Sequence, residues 1–99
     1  MAVDLRDVDP RELGVPSSRA SGADPYKLQM QIARFGSSAK GMPPIWAYEC
    51  FDGVLEVVNS VTSATRIAKL APGTLVPVEV IGRLRKVHGA KPRIGDLLP

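Results

Sequence analysis

A small α+β domain, three to four short strands packed with two to three helices, is the fold class this sequence predicts. Three observations predict it: helical and strand-like periodicities alternate along the chain, an Asp-Gly turn separates two apolar strand runs, and 99 residues supply one core and no more. A composition 44% hydrophobic and 23% charged excludes a disordered tail. No apolar run approaches the ~18 residues a membrane-spanning helix needs.

Residues 1–23 read as an acidic segment and loop, and 24–99 as the body of the domain. Asp4, Asp7, Asp9 and Glu12 stand against Arg6 and Arg11, and Pro10 to Ala23 mixes Pro, Gly and Ser without hydrophobic periodicity. Acids occupy the positions where a secretory signal would place a basic region, so none is read there. Asp24-Pro25 then forms an N-cap with proline at the first helical position. Leu28, Ile32 and Phe35 recur at helical spacing as one buried stripe, and Gly36 stops the helix.

After a second loop, Ile45 to Cys50 is a strand rich in β-favouring side chains, with Trp46 and Phe51 expected in the core. Asp52-Gly53 reads as a two-residue hairpin turn, both positions tolerating positive φ, and leads into Val54 to Val58. Val61 to Leu70 turns helical, with Val61, Ala64, Ile67 and Ala68 on the buried face and Thr62, Arg66 and Lys69 on the other. Pro72-Gly73 leads to Leu75 to Ile81, a strand whose Pro77 cannot donate to a ladder and so marks an edge strand or the strand's beginning. A last short helix is read around Ile94 to Leu98.

Several chemistries are disfavoured by residue counts. One cysteine, Cys50, and one histidine, His88, stand at unrelated positions, so no metal site is expected and a Ser-His-Asp or Cys-His triad lacks its context. His88, between Val87 and Gly89, reads as an exposed loop residue. Glu49 and Glu56 become a carboxylate pair only if the hairpin register sets them face to face. Arg83, Arg85, Lys86, Lys91 and Arg93 form a basic run free of acids, which is either a polyanion contact or a solvated surface.

The stretch from Asn59 to Arg66 carries more chemistry. An apolar strand breaks into a helix through small polar residues, and a helix N-terminus offers unpaired amides at the positive end of its dipole. Asn59, Ser60, Val61, Thr62 and Ser63 would surround a phosphate there, with Arg66 one turn on and Lys69 adding field. The alternative is that Asn59 or Ser60 is an ordinary N-cap, worth ~1 kcal/mol and requiring no ligand.

The order Leu28, Ile32, Gly36; Gly41-Met42-Pro43-Pro44-Ile45; Asp52-Gly53 and Val54 to Val58; the helix from Val61; and Val76-Pro77-Val78 resembles the ParB/sulfiredoxin superfamily over residues 25–82. The resemblance implies a mixed sheet and a Gly-x-x-Arg loop that binds nucleotide or nucleic-acid phosphate, for nucleoside triphosphate hydrolysis, phosphoryl transfer or nuclease action. The chain is also similar in form to C-terminal toxin domains of bacterial secreted effectors, whose loop has the general form Gly-Val-Thr-Arg-Ala-Thr-Arg. Here Ser60 and Ser63 stand where that pattern has Gly and Arg. A hydroxyl does not replace a guanidinium fork, and losing such a clamp costs ~10² to 10³ in rate. The resemblance therefore implies a weakened or inactive hydrolase, with Ser60, Ser63, Arg66 and Glu56 at the catalytic positions.

It also implies Mg²⁺ arriving with nucleotide beside Glu49 or Glu56, a cognate immunity protein, and residence either in a target cell's cytoplasm after secretion or in the bacterial cytoplasm. Two competing expectations stand beside it: a non-catalytic DNA- or nucleotide-binding module, and a protein-recognition domain that uses Trp46, Tyr48 or Phe51.

Overall fold

The computed structural model describes residues 3–19 and 21–98. It is an α+β domain with a four-stranded mixed sheet in the order β1-β4-β2-β3: β1 Asp4–Val8, β2 Ile45–Glu49, β3 Leu55–Val57 and β4 Val76–Arg83. Helix α1 spans Pro25–Phe35 and α2 spans Val61–Leu70, with single 3-10 turns at Pro10–Glu12, Ser17–Arg19 and Ile94–Leu97. β1 runs antiparallel to β4, β4 parallel to β2, and β2 antiparallel to β3.

The start of the acidic segment is part of the sheet. Asp4 pairs with Val80 and Val8 with Val76, so the N-terminal strand covers an edge of β4. Its charges hide it in the sequence, because an outer strand keeps much of its length in water and needs few apolar residues. Arg6 bridges Asp4 and Glu49, each at 2.9 Å, and its guanidinium holds both carboxyls below their usual range. Covered by β1 on one side and β2 on the other, β4 is interior and not an edge; Pro77 is tolerated as its second residue.

The core unites Leu13, Val15, Ile45, Ala47, Leu55, Val57, Val76, Val78 and Ile94 with Val61, Ala64, Ile67 and Ala68 of α2. Burial of each larger side chain is worth about 1.5–3 kcal/mol. Strand alternation decides the fate of the aromatics. Ile45 and Ala47 are fully buried, so Trp46 between them points outward and is 47% exposed. Phe51, in the loop after β2, is 78% exposed. Neither aromatic belongs to the core expected for it.

α1 begins and ends as its residues dictate: the Asp24 carboxylate accepts from the amides of Tyr26 and Lys27, Pro25 opens the helix, and Gly36 takes φ 58°. None of its residues is fully buried, however, and Phe35 is half exposed. α1 packs chiefly on α2, which leaves much of its surface in water. The hairpin loop also differs from a two-residue turn. Gly53 N–H donates to Cys50 O, and Gly53 has φ 87° while Asp52 keeps negative φ.

Candidate functional site

At the junction of β3 and α2 the chain makes a conformation that side chains rarely adopt. Ser60 lies in the left-handed region, φ 62° and ψ 30°, where glycine is the residue without steric cost. Its hydroxyl makes no capping hydrogen bond. Asn59 does not cap either, because its Oδ1 accepts from the amide of Trp46 at 2.8 Å and extends the β2–β3 ladder past its end. The first intrahelical bond runs from Ala64 N–H to Ser60 O. The amides of Val61, Thr62 and Ser63 are thus left without acceptors from the helix, at its positive end.

These residues line a cleft of about 600 Å³. Asn59, Ser60, Val61, Thr62 and Ser63 form one wall, Arg19 and Lys27 add cationic side chains, and Gln31, Tyr48 and Glu56 are among the other residues lining it. Lys27 and Gln31 sit four residues apart on one face of α1, a spacing visible in the sequence but without meaning until α1 is placed across the cleft. Nothing local marks Arg19, which reaches the site from a 3-10 turn. Ser63 donates its hydroxyl proton to Gln31 Oε1 at 3.2 Å, so toward the cleft its amide is the donor left.

Arg66 does other work. It is 3% exposed and is not among the residues lining the cleft. Its Nη1 donates to the carbonyl oxygens of Gly36 and Ser38, both at 2.7 Å, its Nε donates to Gln31, and Phe35 lies under the guanidinium at 5.3 Å. Arg66 and Thr62, read on the face of α2 opposite its apolar stripe, are buried because α1 covers that face, and burial draws the arginine's affinity for its proton down. Lys69 is exposed further along α2, in a hollow with Leu28 and Ile94.

The hairpin register pairs Glu49 with Leu55 and Glu56 with Tyr48, so the two glutamates do not face each other. Glu49 is held by Arg6 and Arg83, at 2.9 and 3.2 Å. Glu56 is 6% exposed and accepts from His88 Nδ1 at 3.0 Å, with Lys86 and Lys91 at 3.5 and 3.9 Å. Glu49 is engaged by two guanidinium groups, and Glu56 sits with a thiol and an imidazole, donors that Mg²⁺ disfavours, so neither carboxylate fits that ion.

His88 is buried, not an exposed loop residue: 1% of it is accessible. Its backbone amide donates to Asp52 Oδ1, and Nε2 lies 3.0 Å from Pro92 O. Cys50 Sγ lies 3.7 Å from Glu56 Oε2. Burial and the neighbouring Glu56 charge push the Cys50 thiol up, which makes it a poor nucleophile. Burial pushes the Glu56 carboxyl up as well, but the hydrogen bond from His88 and the Lys86 and Lys91 charges outweigh it and hold the group below its usual range. Cys50 and Glu56 lie six residues apart but His88 a further 32, and no spacing announces the three together.

The basic run disperses on folding. Arg83 faces Glu49, Lys86 and Lys91 face Glu56, Arg85 is exposed, and the Arg93 amide donates to Asp96. Acids missing from that stretch of sequence arrive from β2 and β3 beside Arg83, Lys86 and Lys91. Comparison with family models, with curated proteins and with solved structures finds no match for this chain. Among the described residues, no helix is long and apolar enough to cross a membrane.

Proposed function

We propose that the cleft at the start of α2 binds phosphate oxygens of a nucleotide or nucleic acid, and that the domain is a weakened form of a ParB/sulfiredoxin-like effector hydrolase. The observation that carries this reading is an uncapped helix N-terminus opening on a cleft rimmed by Arg19 and Lys27. The left-handed Ser60 supports it further, because that is the conformation a phosphate-loop glycine supplies. The amides of 61–63 bind and orient the anion, while Arg19 and Lys27 neutralise its charge. A guanidinium at position 63 would complete the electrostatic clamp, and Ser63 is too short to do so.

The test is an amide-resolved NMR titration with ATP and with pyrophosphate. Shifts confined to residues 60–63 with Arg19 and Lys27 support the site, and no shift there at millimolar ligand refutes it. The double variant Ser60→Gly/Ser63→Arg should gain nucleotide hydrolysis or nucleic-acid cleavage. Anion binding without that gain favours the non-catalytic module, whose DNA affinity would fall with salt at a slope of about 0.9 per phosphate contacted. A second reading, a protein-recognition surface such as one for an immunity protein, is favoured by the outward display of Trp46 and Phe51.

A further inference from the structure

We propose that Cys50, Glu56 and His88 form a binding site for one thiophilic divalent transition ion of the Zn²⁺ class. The three side chains come from the hairpin loop, from β3 and from the segment after β4, and all three are buried. Their donor atoms lie within 4.8 Å of one another, with Cys50 Sγ and His88 Nδ1 both against the same oxygen, Glu56 Oε2, at 3.7 and 3.0 Å. Zinc bonds of about 2.0–2.3 Å at tetrahedral angles place donors about 3.3–3.8 Å apart. The thiol–carboxylate spacing already satisfies this, the imidazole has to open from the carboxylate by a few tenths of an ångström, and the thiol and imidazole, within 4.8 Å of each other, close on the common centre.

The histidine is set for the role by its far nitrogen. Nε2 faces the carbonyl of Pro92, an acceptor only, and so carries a proton, which leaves Nδ1, 3.0 Å from Glu56 Oε2, as the nitrogen that gives up its proton to a metal ion. A backbone carbonyl fixing the unligated nitrogen is the usual support of a metal-bound histidine. Asp52 holds the His88 amide, and Gly14 closes over the ring so tightly that an added Cβ would sit 2.7 Å from Cε1.

A set of one sulfur, one imidazole nitrogen and one carboxylate oxygen selects a borderline-soft ion over Mg²⁺ or Ca²⁺. On binding, the Cys50 S–H proton and the proton between His88 and Glu56 leave to solvent, and the ion takes over the charge compensation that Lys86 and Lys91 supply from their long stems. The ion would pin the segment after β4 to the hairpin. The two sites share Glu56, but the anion donors of the cleft, residues 61–63 with Arg19 and Lys27, are no part of the metal set.

The whole chain is titrated with Co²⁺ and then Zn²⁺ near neutral pH. One equivalent of Co²⁺ should develop sulfur-to-metal charge-transfer absorption that Zn²⁺ abolishes. Zn²⁺ should also move the His88 Nδ1 and Cys50 Cβ resonances, which are unambiguous because the chain has one histidine and one cysteine. Cys50→Ala and His88→Gln should each weaken Zn²⁺ binding by more than about 100-fold, beyond what loss of an outer partner costs. Folded wild type showing neither the absorption nor the resonance shifts overturns the proposal, as does affinity unchanged in either variant. Should a variant fail to fold, the wild-type readouts decide.

Discussion

Arg66 of α2 closes the C-terminal end of α1 through the carbonyl oxygen of Gly36, at 2.7 Å. A helix whose last carbonyls lack intrahelical donors gains one from a neighbouring helix, and the two are locked at a fixed offset. The same guanidinium reaches Ser38 and covers Phe35, so one side chain fixes the entire exit of α1.

Replacing it should therefore loosen α1 more than the rest of the fold. Arg66→Met keeps the stem and removes the donors. The released carbonyls can reach water at the surface, which places the loss near the lower end for charged hydrogen bonds, about 2 kcal/mol. Urea denaturation measures the loss, and hydrogen exchange should quicken first at residues 33–36.

Ser60→Gly should stabilise the domain by about 0.5–1 kcal/mol, since glycine takes the left-handed conformation without the Cβ clash. Ser60→Val should lower stability by more than about 1 kcal/mol, because a branched Cβ is least tolerated at positive φ. Thermal unfolding of the pair reads both signs; equal effects would mean that Ser60 is not left-handed in solution.

A methyl group at position 14 meets a ring that has no room to move. His88 Cε1, Nδ1 and Nε2 would lie 2.7–3.0 Å from the new Cβ, while both ring nitrogens are held by hydrogen bonds. Gly14→Ala should cost about 1–3 kcal/mol by overpacking, with a lowered unfolding midpoint in urea as the readout.

The Glu56 carboxyl is held below its usual value of 4.5 in the folded protein. The native state then binds fewer protons than the unfolded chain, so this group's stabilisation is complete above 4.5 and is lost as the pH falls through the lowered value. Glu56→Gln should be less stable than wild type at neutral pH, and the gap should shrink on acidification. A gap that stays constant across the acid range would refute the charge pairing of Glu56.

The helices were legible because their punctuation is local: Asp24-Pro25 and Gly36 bound α1, and the apolar face from Val61 to Ala68 defines α2. The α+β class and the start of α2 after Ser60 follow from such signals. What stayed hidden depends on partners distant in sequence. β1 is charged because it borders the sheet, Trp46 is outside because Ile45 and Ala47 fill the interior, and Arg66 is inside because α1 lies over it. His88 is buried by Gly14, Glu56 and Pro92, none of which lies within three residues of it.

The pairing of Asp4 with Val80 also orders events in time. β1 is made about 70 residues before the strand it pairs with, so it must wait while β4 is still unmade. In that interval, or in a chain clipped ahead of Pro10, the bare flank of β4 is a template for the β1 of another molecule. Exchange of N-terminal strands between copies is the misassembly to which this topology is exposed.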